Sequence, residues 1–247
     1  MFCRLFLLSF FYPLFIYAQF EIRIESGPVF EGSNQVAVPG DTGTKFNLAS
    51  LSSSPESYTL TRAHLAYTFN EKHKLRLLWA PLSVSASSRI NENIDFADAS
   101  FTSGQLVDAV YKFNSYRLSY MYYFNMGPNW DSAFGFTAKI RDAKIQLSST
   151  SDSGQITNVG FVPLLHFHLK RNFGLWSLWF DFDGAWAPQG RAYEPSIALE
   201  RHLTSFGIGH SLSAYAGYRF IEGGADNDTV YNFAFIQSGF IGLKGVF

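Results

Sequence analysis

From Gln19 to Phe247 apolar and polar side chains alternate with a period of two, and no stretch carries a 3.6-residue repeat. Phe20, Ile22 and Ile24 oppose Glu21, Arg23 and Glu25. Ala63, Leu65, Tyr67 and Phe69 oppose Arg62, His64 and Thr68. Phe134, Phe136, Ala138 and Ile140 oppose Thr137, Lys139 and Arg141. Successive side chains of a strand point to opposite faces, so the pattern predicts strands over 19–30, 58–70, 74–86, 105–125, 130–147, 158–169, 175–186, 195–203, 207–220 and 229–247. Most exceed the 5–6 residues usual in soluble sheets.

Two of these strands change phase. In 105–125 the apolar set is first Val107, Ala109, Tyr111 and Phe113, and after Asn114-Ser115 it becomes Tyr116, Leu118, Tyr120, Tyr122 and Phe124. A second slip stands at Arg141-Asp142. Each predicts a bulge; if both were turns the count would rise from ten to twelve. The connectors alternate between short (71–73, 126–129, 170–174, 204–206) and long, polar ones (31–57, 87–104, 148–157, 188–194, 221–228).

Composition narrows the class. Aromatic residues make up 18% of the chain and charged residues only 16%, against about 25% charged in ordinary soluble domains. That excludes disorder. A net charge of −1 leaves no basic field for nucleic acid. The single cysteine, Cys3, excludes a disulfide scaffold. The apolar run near the start, with its one charge at Arg4, an apolar stretch from Leu5 to Tyr17 and the small Ala18, reads as a cleavable secretory signal peptide over 1–18. An uncleaved anchor is its alternative. Residues 19–247 are then one domain.

Strands of this length cross hydrocarbon when tilted, which takes about 9–11 residues. Lipid leaves no partner for free backbone groups, so such a sheet must close. A secreted lipocalin-like barrel would turn its apolar face inward; here that face points outward. The last strand carries Tyr231, Phe233, Phe235, Ile241, Leu243 and the terminal Phe247 in one phase. Together with the signal peptide, this resembles the bacterial outer-membrane β-barrel superfamily, with Ile241, Leu243 and Phe247 as the assembly signal. The resemblance implies an all-β, closed, antiparallel up-and-down barrel of about ten strands, with eight or twelve as alternatives. It implies a Gram-negative outer membrane as the location. The implied partners are outer-membrane lipid, lipopolysaccharide and the barrel-assembly machinery.

The polar face then lines a lumen. Its expected members are Arg62, Arg76, Asp108, Lys112, Arg117, Lys139, Arg141, His166, His168, Asp181, Asp183, Glu200 and Arg219. Charges in such a place must be paired, so a structural network is expected. The pairs His166/His168 and Asp181/Asp183 each share a face, and a metal site or acid–base pair is their functional alternative. The histidines are expected nearer the hairpin turn than the aspartates, which argues against one cluster of four. That position also departs from the omptin proteases, whose acid groups lie near the extracellular rim. Lipid A deacylases place His, Ser and an acid on one face, whereas His210 and Ser211 are adjacent and point apart. The stretch from Glu222 to Asp228 resembles a fragment of a calcium loop but lacks the later Glu. No catalytic set, cofactor or metal is expected.

The long connectors hold Glu31, Asp41, Glu56, Glu92, Asp95, Asp98, Asp152, Glu194, Glu222, Asp226 and Asp228 against Lys45, Arg89 and Arg191. This predicts an acidic crown that divalent cations would bridge to lipid phosphates. The expected function is a non-enzymatic outer-membrane barrel with an envelope-structural, surface-interaction or limited-permeation role. Its rivals are an enzyme acting on lipid A or peptide, and a small-solute pore. The interior of about eight strands is just filled by side chains, so ten leave little surplus.

Overall fold

A computed structural model describes residues 19–51 and 58–247. The expected signal peptide and Glu56 lie outside the described residues. In chain order the elements are β1 (Gln19–Ala37), β2 (Phe46–Asn47), a 3-10 turn (Leu48–Leu51), β3 (Tyr58–Phe69), β4 (His73–Ala80), β5 (Ser83–Arg89), β6 (Ile94–Phe96), β7 (Ala99–Phe101), β8 (Leu106–Asn125), β9 (Trp130–Ser148), β10 (Ser153–Phe173), β11 (Trp176–Ala187), β12 (Gly190–Gly207), β13 (His210–Asp226) and β14 (Tyr231–Val246). Ten of them, β1, β3, β4 and β8 to β14, form an antiparallel ring closed by β14 against β1. Phe20 and Phe247 exchange both backbone hydrogen bonds, each 2.9 Å, at the seam. Beyond a break at Pro81-Leu82, β5 continues along the same edge of β8 that β4 occupies. β2 pairs with β1 outside the ring, and β6 with β7 forms a separate hairpin.

The termini and four tight turns share one end. Two of the turns, Gly174-Leu175 and Ile208-Gly209, join strands through two residues. Turns of that length need positive φ, which Gly174 (+68°) and Gly209 (+80°) supply. The other end differs from the expected set of five long connectors. Strands β9 to β14 run further than the alternation suggested, leaving only residues 149–152, Pro188-Gln189 and residues 227–230 as turns. Two long loops remain, one beginning at Val38 and one over 90–105.

The ladder also removes both expected phase slips. β8 pairs with β9 without interruption from Asp108↔Ser148 to Asn125↔Asp131. Odd-numbered residues of β8 face inward throughout. What changes near Ser115 is the chemistry of the two sides. Toward the termini end, Ser115, Arg117 and Ser119 are buried inside while Tyr116, Leu118 and Tyr120 are exposed outside. Toward the loop end, Val107, Ala109 and Tyr111 are buried inside while Asp108 is exposed and Lys112 half-exposed outside. β9 does the same: Thr137 and Lys139 give way to Ile145 and Leu147 on the inside.

The barrel is therefore two storeys. The loop storey has an apolar core built from strand residues such as Val29, Leu60, Val84, Val107, Tyr111, Leu147 and Ile236. The two long loops complete it by inserting Phe46, Leu48, Ile94, Phe96 and Phe101. Full burial of each such side chain is worth about 1.5–3 kcal/mol, which fastens the loops down as a plug. The other storey wears an apolar belt on its outside. Ile22, Ile24, Leu65, Leu77, Trp79, Leu118, Phe136, Leu165, Leu178, Leu199, Ile241 and Leu243 are all two-fifths or more exposed. An apolar surface that runs round the whole ring marks a membrane or an interaction face.

Candidate functional site

Inside the belt the lumen is charged and filled. Arg117 donates to Asp183 Oδ2 at 2.8 Å and to Glu194, and Arg62 donates to Glu194 Oε1 at 2.6 Å. Glu25 lies 2.7 Å from Arg219 and 3.4 Å from Arg62. Nearer the termini, Arg76 donates to Asp181 at 3.2 Å. Glu21 takes Arg23 at 2.6 Å and Lys74 at 3.1 Å, while Glu200 takes Lys170 at 3.1 Å and Lys244. Each of these six carboxylates is held by at least two cationic or imidazole groups from different strands, which removes most of the cost of burying it. An aromatic cluster of Trp179, Tyr215 and Phe240 fills one side, with Arg219 4.5 Å above the Phe240 ring.

The two His–Asp pairs correct the expectation about their turn. The β10–β11 register sets His166 opposite Asp183 and His168 opposite Asp181. The pairs are equidistant from the turn because it lies at Gly174-Leu175 and not over 170–174. His166 Nδ1 lies 2.9 Å from Asp183 Oδ1, and His168 Nδ1 lies 2.5 Å from Asp181 Oδ1. The Thr137 hydroxyl donates to Asp183 at 2.9 Å and not to an imidazole. That is a hydrogen-bonded brace rather than a nucleophile with its base. Among the described residues no group of three or more His, Cys, Asp or Glu is arranged to hold a metal ion.

Arg62, Arg76, Arg117, Lys139, His166, His168, Asp183, Glu200 and Arg219 are buried in the lumen, with Asp181 slightly less so. Asp108 and Lys112 are corrected: both stand on the outer face of the loop storey, because the phase of β8 never slips. The Lys112 ammonium, 2.8 Å away, holds the Asp142 carboxyl below its usual range. Arg141 is half-buried at the mouth of the lumen. Glu194, expected in an acidic loop, is instead a hub of the network on β12. Glu31 is half-buried on β1, where it accepts from Asn34, and Glu222 is paired with Arg191 at 2.8 Å. The crown thus reduces to Asp41, Glu92, Asp95, Asp98, Asp152, Asp226 and Asp228. Glu21, Arg23, Glu25, His64, Lys74, Lys170 and Lys244 were missing from the expected network. Their signal was the alternation itself: residues opposite Phe20, Ile22 and Ile24 must face inward.

The loop plug does not fill the whole mouth. On the β9–β13 side a cavity of about 450 Å³ remains. Its floor is the network, at Arg117, Asp183 and Glu194; Lys139 and Arg141 project along one wall; Val162, Leu164, Ala185, Ile221 and Ile236 supply apolar lining. The barrel wall is split beside it. β10 pairs with β11 only from Phe173↔Trp176 up to Leu165↔Gly184. Beyond that, β10 up to Ser153 is bonded to β9 alone, and Ala185, Trp186 and Ala187 are bonded to β12 alone. Pro163, which has no N–H to donate, lies just past the point where the ladder stops. Phe161 and Trp186 flank the split and line the cavity, yet are 64% and 72% exposed to the outside.

No protein-family model and no curated protein matches the chain. Among solved structures it is similar to Ail, the attachment invasion locus protein of Yersinia pestis, at 11% identity over 94% of this chain and 100% of that one, with a TM-score of 0.43. It is similar to the outer membrane protease OmpT of Escherichia coli at 13% identity, over 92% and 95% of the two chains, with a TM-score of 0.41. It is similar to the toluene transporter TodX of Pseudomonas putida at 8% identity, over 94% and 89%, with a TM-score of 0.30. These neighbours are bacterial outer-membrane β-barrels, and they identify no named subfamily.

Proposed function

We propose that this chain is an outer-membrane β-barrel closed to free solute flow, with its termini on the periplasmic side and its plugged storey on the cell surface, serving the envelope as a rigid surface structure rather than as a pore. The observation that carries the reading is the double closure of the lumen. Cross-barrel ion pairs occupy the belt storey, and an apolar plug of two long loops occupies much of the other. Moving an ion through the first layer requires parting charges that hold each other in a low-dielectric interior. The belt of exposed aliphatic and aromatic side chains supports the membrane setting, because a soluble barrel would leave that whole ring in water. The twelve-residue to twenty-residue length of its ring strands, β4 and β10 aside, agrees with strands that cross and then project beyond a bilayer.

The test is electrical. Reconstituted in planar lipid bilayers, the folded protein gives no stable ohmic conductance. A variant carrying Arg62→Ala, Arg117→Ala and Arg219→Ala, if folded, conducts, because the three cross-barrel clamps on Glu194 are gone. Porin-like conductance from the native protein overturns the reading.

A further inference from the structure

Lys139 stands apart from every other buried cation of the lumen. It is 3% exposed, and it makes no hydrogen bond or ion pair with any described residue. Its ammonium rests 4.7 Å from the centre of the Phe113 ring. Arg23, Arg62, Lys74, Arg76, Arg117 and Arg219, by contrast, each have a carboxylate within 4 Å. Two positions along β9, Arg141 donates to Asn158 at 2.5 Å while its Nε finds no acceptor. Both side chains line the mouth cavity. The two carboxylates of the cavity floor are already committed: Asp183 to Arg117 and His166, and Glu194 to Arg117, Arg62 and Arg219. Asp183 and Glu194 act on the Lys139 ammonium only from beyond ion-pair distance, and a buried ammonium with no carboxylate in contact is unfavourable, so the cavity is a site that an incoming anion would complete.

The rest of the cavity specifies what the anion is attached to. Its walls combine apolar Val162, Leu164, Ala185, Ile221 and Ile236 with polar Arg191 and Glu222 on the loop side, and its volume lies within the range of small-molecule sites. The split between β10 and β11 opens it sideways. The outer residues at that level are apolar: Phe161 pairs across the sheet with Ile140, an exposed residue of the belt. A ligand held by its charged end at Lys139 therefore has an apolar exit toward the belt instead of a polar one toward the loops.

We propose that the cavity binds a single-chain anionic amphiphile, with its head between Lys139 and Arg141 and its alkyl chain leaving through the β10–β11 split past Phe161 and Trp186. The destination of the chain, though not the head site, rests on the outer-membrane reading above. The head is a carboxylate or a phosphate monoester, and the two are separated by experiment.

The test titrates the full folded protein, in neutral maltoside micelles, with dodecanoate, dodecyl phosphate, dodecanol and acetate, and counts bound molecules by native mass spectrometry. One dodecanoate or dodecyl phosphate per chain is expected, the tighter of the two naming the head. Dodecanol and acetate, lacking head and tail respectively, are expected to bind weaker by roughly tenfold or more. Lys139→Met is expected to bring dodecanoate and dodecyl phosphate down to the level of dodecanol without changing dodecanol, whereas a merely structural lysine would alter all ligands together. Equal binding of dodecanoate, dodecyl phosphate and dodecanol by the native protein overturns the head site, whether or not the variant folds. Acetate binding as tight as dodecanoate overturns the route for the chain. A protein that inserts into vesicles yet binds none of these ligands refutes this inference alone; one that does not insert refutes the membrane reading.

Discussion

The two halves of β8 present opposite proteins. Around Leu118 the strand is polar inside and apolar outside; around Ala109 it is apolar inside and polar outside, although no residue is inserted and no side chain changes face. On the membrane reading proposed above, the difference lies in the medium on each side. Where the outside is hydrocarbon, belt side chains need no burial, and the interior is free to hold charges provided they neutralise one another. Where the outside is water, the barrel obeys the rule of soluble proteins and buries its aliphatic groups. Side-chain polarity along one face thus records where the medium changes, near Ser115 on β8 and near Arg141 on β9.

The largest way to break the contrast is inside the belt. Arg117→Ala leaves Asp183 and Glu194 each short of a partner, and loss of one member of a buried ion pair costs on the order of 3–5 kcal/mol. A lowered denaturation midpoint in vesicles, followed by the heat-modifiable gel shift, would show it. Next comes the outside of the same strand. Leu118→Lys places a charge on the lipid face, at about 2–4 kcal/mol near the bilayer midplane. Val110→Lys, on the same face of β8 but in the other storey, stays within about 0.5 kcal/mol. Equal penalties at the two positions, measured by the same unfolding assay, would erase the contrast. In the apolar core, Ile94→Val removes one methylene from the loop plug at a cost of about 1 kcal/mol. Its readout is faster proteolysis of the 90–105 loop with the barrel intact. The smallest effect belongs to Lys112→Ala, which deletes the solvent-screened pair with Asp142 and leaves the midpoint unchanged.

Much of this was legible beforehand because strand alternation is a local signal. The belt, the ten ring strands and the inward course of Arg62, Arg76 and Arg117 follow from a period of two. The hydrophobic phase of β8 was misleading because it depends on the surrounding medium as well as on the fold; two environments along one strand imitate a bulge. Glu194 was hidden for a related reason: 188–194 reads as polar loop, yet β12 already begins at Gly190. The partnership of His166 with Asp183 needed the exact position of a two-residue turn. The split between β10 and β11 depends on which strand edges stay unpaired, and only Pro163 marks it in the sequence. Nor does sequence reveal that Lys139 lacks a carboxylate, since its spacing is the same as that of the paired lumenal cations.

The most direct test follows the outer face of β8 with single spin labels at Asp108, Val110, Lys112, Tyr116, Leu118 and Tyr120, with the protein reconstituted in lipid vesicles. Oxygen, which concentrates in lipid, and a water-soluble nickel chelate report the medium around each label. Chelate-dominated collisions are expected at 108, 110 and 112 and oxygen-dominated collisions at 116, 118 and 120, with the crossover near Asn114. Oxygen dominance continuing to 108, or chelate dominance at 118, would contradict the reversal of inside and outside along one unbroken strand.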